Sequence, residues 1–148
     1  MPDGQVARLS YCLRFLSLRA VSRQANIPYT TLWRLKQGQT RLTGDYAKRL
    51  RNIYQRTVYH HLRDLGFPAH SARRWSWYSP ERVLEVEARF NLLVEELTTG
   101  VYASRVEKLE REGQPYSDVK VWKESEEAIL EGLSQSDLDI EDWEKYLE

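Results

Sequence analysis

Cysteine is almost absent from this 148-residue chain: Cys12 stands alone, which excludes an internal disulfide and any multi-cysteine zinc cluster and suits a reducing compartment. Long apolar runs are missing too. No segment approaches the roughly 18 apolar residues of a membrane span, and Met1 to Ser10 lacks a basic stretch followed by an apolar one. A soluble, cytoplasmic protein with no membrane partner is therefore expected. The Val/Ile/Thr alternation and hairpin dipeptides of strands are nearly absent, as are glycine-rich phosphate loops and nucleophile elbows. His60, His61 and His70 have no cysteine or acidic partners at ligand spacing, and adjacent histidines on a helix point in different directions. Asp118 and Lys120 form an acid-x-lysine pair, but without the strand-rich core or upstream aspartate that a nuclease site needs. Neither an enzyme nor a metal or cofactor is expected.

What is present is charge, and it is divided. The formal net charge is zero, from 22 basic and 22 acidic residues. Residues 1–80 carry 14 Lys/Arg against 3 Asp/Glu, a net +11, and residues 81–148 carry 8 against 19, a net −11. Such asymmetry suggests a polyanion-binding front half and an acidic rear half with another task; the plainer alternative is an internal electrostatic match with no ligand.

Apolar residues recur at helical spacing almost throughout, which predicts an all-α protein. Val6, Leu9, Leu13 and Leu16 mark a first helix. Ser17 caps a second that runs to Ala25, Asn26 is the turn, and a third spans Tyr29 to Gln37 before Gly38. Thr43 caps a stretch to Leu65 whose stripe of Ala47, Leu50, Tyr54, Val58, Leu62 and Leu65 fits one long helix or two. Phe67 to Tyr78 reads as an irregular, aromatic-rich connection. Ser79 and Pro80 then open a helix to Gly100, followed by helices over 102–112 and 118–131, and a short docking helix containing Leu138, Ile140, Trp143, Tyr146 and Leu147. The implied domains are 1–67, a connection at 68–79, and 80–148.

The segment Ser17 to Gly38, SLRAVSRQANIPYTTLWRLKQG, resembles the helix-turn-helix of the Cro and phage-repressor (Xre-like) family. Val21 is a buried position of the first helix, Ser22 a small residue at the helix crossing, Asn26 the turn, and Ile27, Leu32 and Leu35 the inner face. Serine stands where relatives usually have alanine, asparagine where they have glycine, and both substitutes meet the physical demand for small size or left-handed backbone. Leu18 stands where relatives often carry glutamine, and leucine cannot make the phosphate contact that a polar residue there can make. The resemblance covers about residues 5–56 and implies an N-terminal helix-turn-helix bundle, followed here by an acidic helical module.

The resemblance implies that the second helix of the motif enters the major groove. With Leu32 and Leu35 inward, helical spacing leaves Tyr29, Thr30, Trp33 and Arg34 outward as base readers. Arg34 suits guanine, Thr30 offers a hydroxyl or methyl, and Tyr29 or Trp33 can pack on a thymine methyl or sugar; alternatively the aromatics pack on a neighbouring helix. Gln39, Thr40 and Arg41, with Lys36 and Lys48, are the expected contacts to the DNA backbone. Arg49, Arg56 and Arg63 recur every seven residues and form a candidate basic stripe.

Two further groups stand out. Phe67, Trp75, Trp77 and Tyr78, with Arg73 and Arg74, suit either core or the stacking of unpaired bases, and core is favoured in so small a helical protein. Val83, Val86, Phe90, Leu93 and Leu97 exceed what a short charged neighbour can cover and are expected to drive self-association. The resulting expectation is a nucleoid-associated, sequence-specific binder of double-stranded DNA: a transcriptional regulator acting as a homodimer or higher homo-oligomer, with the acidic rear half available to a protein partner. The alternative is a DNA adaptor of a phage or mobile element, such as a small terminase subunit or a segregation or replication accessory protein.

Overall fold

The expected helical periodicity is realised throughout the computed structural model, which describes residues 4–147, with side chains to residue 145. Among the described residues the chain is all-helical, with eight helices and no strand. They are α1 (Gly4–Cys12), α2 (Leu18–Ala25), α3 (Tyr29–Lys36), α4 (Gly44–Leu65), α5 (Ala69–Trp75), α6 (Pro80–Arg111), α7 (Asp118–Ser134) and α8 (Ile140–Leu147). No helix among these residues is long and apolar enough to cross a membrane.

Several expected boundaries move, each for a local reason. α1 stops at Cys12, because the next turn tightens: Arg14 and Phe15 donate to the carbonyls of Tyr11 and Cys12, three residues back. Leu13 and Leu16 thus lie in a turn and are only half-buried. The stretch to Leu65 is one helix. Ala69–Trp75, read from sequence as irregular, is helical, its two arginines lying in the last turn where the helix dipole favours cations. Gly100 does not end a helix: α6 runs through it for 32 residues. An interior glycine costs only about 1 kcal/mol relative to alanine, too little to break a helix already propagated on both sides.

The chain forms two compact units that interleave along the sequence: one comprises Met1–His61 and Ala72–Leu84, the other Leu62–Ser71 and Glu85–Glu148. Their limits fall inside α4, α5 and α6 rather than at a linear joint. In the first unit Val21, Leu32, Leu35, Leu50 and Val58 are fully buried, together with Tyr54 and Trp75. Tyr54 reconciles its hydroxyl with burial by donating to the Tyr78 carbonyl at 2.7 Å. Cys12 belongs to this core, and burial pushes its thiol up to about 11, so it stays protonated and unreactive at neutral pH.

In the second unit Phe67 stacks on Phe90, ring centroids 4.1 Å apart. The turn that delivers Phe67 requires Gly66, whose φ is +109° and whose Cα would place a Cβ 2.9 Å from Leu130 Cδ2 and 3.6 Å from Phe90 Cζ. α8 is held in the same unit by a two-pronged pair in which Arg89 Nε donates to Glu144 Oε1 at 2.8 Å and Nη2 donates to Oε2. That pair holds the Glu144 carboxyl below its usual range. The side chains of Tyr146 and Leu147, expected to help dock this helix, lie outside the described residues.

Gly66→Ala should combine backbone strain of about 1–2 kcal/mol with overpacking of about 1–3 kcal/mol. Gly113→Ala, also at positive φ but with nothing within 4 Å of the added Cβ, should cost only the backbone term. Urea melts of the two variants should differ accordingly. The Arg89–Glu144 pair predicts a pH effect. A carboxyl whose pKa is lowered by folding contributes stability above its unfolded value and loses it as pH falls through the folded one. α8 amides should therefore lose hydrogen-exchange protection, after correction for intrinsic rates, as pH drops below the usual glutamate range. Arg89→Ala should lack that protection already at neutral pH. Both partners are more than a third exposed, so the effect should stay local and small.

Candidate nucleic-acid interface

The candidate interface is built on the turn between α2 and α3. Ser17 caps α2 by accepting the Ala20 amide at 3.0 Å. The far end closes on Asn26, which adopts left-handed backbone (φ 53°, ψ 50°). Its amide donates to the Arg23 carbonyl while that of Ile27 donates to Ser22, the paired bonds of a Schellman ending. Ser22 contributes more than small size: its hydroxyl donates to the Ile27 carbonyl at 2.6 Å, tying the turn back onto α2. Ile27 itself is buried. α3 packs on both α1 and α2, and its Leu32 and Leu35 are fully buried.

This inner face determines the outer one. Tyr29, Thr30, Trp33 and Arg34 are all exposed, Tyr29 at 39% and Trp33 at 45%, so these aromatics do not vanish into the core of the chain. Arg19 of α2 lies over the Tyr29 ring at 5.1 Å, which restrains that ring at the start of α3. A second Schellman ending at Gly38 (φ 74°) turns the chain out of α3: the Gly38 amide donates to Leu35 and the Gln39 amide to Arg34. Gln39, Thr40 and Arg41 follow on the surface, with Lys36 and Lys48 also exposed.

Sequence reasoning missed three contributors. Gln5, buried on α1, grips the segment after α3 with both ends of its amide, donating to the Leu42 carbonyl at 2.9 Å and accepting the Leu42 amide at 2.8 Å. Nothing in the local pattern distinguishes Gln5 from a surface glutamine, because its partner lies 37 residues away. Arg19 and Arg23, one helical turn apart on α2, line with Ser22 and Tyr29 a groove of about 400 Å³ beside the start of α3. Their signal was available in composition: Gly4 to Gly44 contains seven arginines and lysines and no aspartate or glutamate.

Other candidates fall away. Arg49 does not join a basic stripe, since its Nη1 donates to the Asn26 carbonyl at 2.8 Å and Nη2 reaches Asp45; Arg63 donates to the carbonyls of Phe67 and Ser134. His61 packs against Phe15 in a tilted ring pair, centroids 4.4 Å apart. Of the aromatic cluster, Phe67 and Trp75 are core, Tyr78 is half-buried and Trp77 is 71% exposed. The expected self-association face is not available as such: Val83 in the first unit and Val86, Phe90 and Leu93 in the second are buried within the chain itself and Leu97 is half-buried, because α6 supplies core rather than an open stripe. The large apolar side chains that α6 does expose are Leu84 and Leu92. Among the described residues no cluster of three or more histidine, cysteine or acidic side chains could hold a metal ion.

Comparison of the chain with family models, with curated proteins and with solved structures returns no match.

The Gln5 clamp leads to a specific expectation. Gln5→Ala should leave the buried Leu42 amide and carbonyl unsatisfied and cost about 1–3 kcal/mol. Gln5→Glu, which can still accept from the Leu42 amide but cannot donate to its carbonyl when ionised, should lose part of this. Thermal melts measure the loss, and exchange protection of the Leu42 amide should fall in Gln5→Ala, and less in Gln5→Glu, while that of α7 does not.

Proposed function

We propose that the chain is a sequence-specific double-stranded DNA-binding protein that inserts α3 into the major groove and acts as a transcriptional regulator. The observation that carries this reading is the two-sidedness of α3: Leu32 and Leu35 fully buried, Tyr29, Thr30, Trp33 and Arg34 exposed, on a segment with no acidic residue from Gly4 to Gly44. Eight residues at 1.5 Å each make α3 about 12 Å long, and with side chains an α-helix is about 10–12 Å across, which a major groove about 12 Å wide admits. Donors lie at both ends of that length: Arg19 and Arg23 in the groove beside its start, Gln39, Thr40 and Arg41 after its finish. Two backbones flanking one groove would each meet a set of phosphate donors. Pro28 gives α3 no side-chain cap, which leaves its first-turn amides for a phosphate oxygen as well.

In this reading Arg34 makes a paired contact to a guanine edge and Thr30 a hydroxyl or methyl contact, while Tyr29 and Trp33 pack on thymine methyls or sugars. Gln39, Thr40, Arg41, Lys36 and Lys48 hold phosphates and set register without reading sequence.

Selection of genomic fragments with the purified chain supplies a preferred site, on which the roles separate. Arg34→Ala should cost about 1–3 kcal/mol there and relax one base position. Arg41→Ala should weaken all sequences alike and lower the slope of log affinity against log salt by about one. Equal loss on preferred and random duplex for Arg34→Ala would remove base reading from Arg34, and an absence of salt-sensitive duplex affinity in the wild type would overturn the reading as a whole.

A further inference from the structure

The turn after α5 presents a feature that the α3 surface does not explain. Trp77 is 71% exposed, while Trp75 and Ser76 before it are buried and Tyr78 after it is half-buried. Its outward position is built into the backbone. The Trp77 amide donates to the Arg74 carbonyl and that of Tyr78 to Trp75, the Ser76 hydroxyl donates to the Arg73 carbonyl at 2.6 Å, and the Tyr78 carbonyl is held by the Tyr54 hydroxyl. A turn closed at four points holds one indole in water.

Its surroundings are cationic and ordered. Arg73, Arg74 and Arg82 are all exposed, and each guanidinium lies over an aromatic ring: Arg73 over Tyr59 at 6.0 Å, Arg74 over Trp75 at 5.2 Å, Arg82 over Tyr78 at 5.5 Å. Stacking limits the rotamers of long side chains that would otherwise sweep freely, so less order is lost when an anion arrives. From Leu65 to Pro80 there is no aspartate or glutamate, and the first acidic residue after this stretch is the exposed Glu81 beside Arg82.

We infer that this turn is a second nucleic-acid site, in which Trp77 stacks on an unpaired base while Arg73, Arg74 and Arg82 hold the flanking phosphates of a single strand. Duplex DNA offers no base face to such a side chain, whereas every unpaired base does, and a positively charged surface carrying an exposed aromatic is the arrangement that single-strand binding requires. A second copy of the chain fits less well. One exposed indole in an arginine-rich stretch is far short of the roughly 800 Å² per partner of a stable protein interface, and like charge would oppose pairing of the patch with itself. The site is independent of the duplex reading of α3, and the two can fail separately.

The test uses the full chain, fluorescein-labelled oligo(dT) of fifteen nucleotides and a random duplex of the same length, read by anisotropy at low salt. Trp77→Ala should weaken oligo(dT) binding roughly tenfold, within the range of one lost base–aromatic stack, and leave duplex affinity within about twofold. Trp77→Phe should recover much of the loss. Arg34→Ala should leave oligo(dT) binding within about twofold. Because Trp77 is largely exposed, Trp77→Ala should melt with the wild type, and circular dichroism checks that it does. Oligo(dT) binding that is absent, or that Trp77→Ala leaves unchanged, overturns the inference, as does equal loss on single strand and duplex. A sedimentation change caused by Trp77→Ala without any change in oligo(dT) affinity would assign the indole to protein contact instead and overturns it too.

Discussion

The hydroxyl of Ser22, donated to the carbonyl of Ile27, is the contact on which the organisation of the α2–α3 pair turns. It can form only because Asn26 accepts left-handed backbone, folding Ile27 back under α2, and because serine is small enough at the crossing. With that turn closed, Ile27, Leu32 and Leu35 all enter the core, and the opposite side of α3 has no choice but to face solvent. Burial of the inner leucines thus does two things at once: it stabilises the motif and presents its outer residues in one orientation.

The same economy appears in the arginines. In the sequence they look equivalent, and a seven-residue recurrence even suggests a common stripe. In the fold they divide by partner. Arg49 and Arg63 satisfy backbone carbonyls at helix ends, Arg19, Arg73 and Arg82 lie over aromatic rings, and Arg89 anchors α8 through Glu144. Arginine suits all three tasks because its planar fork pairs with carbonyls and carboxylates and its faces stack. Within residues 1–80, whose net charge is +11, Arg49 and Arg63 are turned to carbonyls of the chain itself, whereas Arg19 and Arg73 stay exposed over their rings.

α6 illustrates how a locally sound inference can miss. Its apolar stripe exceeds the needs of one short neighbour, which is why it suggested self-association, yet Val83, Val86, Phe90 and Leu93 are consumed by the core of the chain. Stripe width states how much partner surface a helix needs; it does not state whether that surface comes from the same molecule. Gly100 misled in a similar way, since a residue that ends helices at left-handed caps is merely tolerated when the flanking turns already propagate.

By itself the sequence determined the helical class, most helix starts and stops, the turn at Asn26 and the division of α3 into inner and outer residues. All of these follow from period, capping and backbone preference within a window of a few residues, where local physics is complete. The tertiary structure alone decided that Gln5 grips Leu42, that Arg49 reaches Asn26, that Trp75 is buried while Trp77 two residues on is not, and that the α6 stripe is covered. Each of those depends on which distant segment arrives at a given side chain, and a hydrogen bond spanning 37 residues leaves no trace in the spacing of either partner's neighbours.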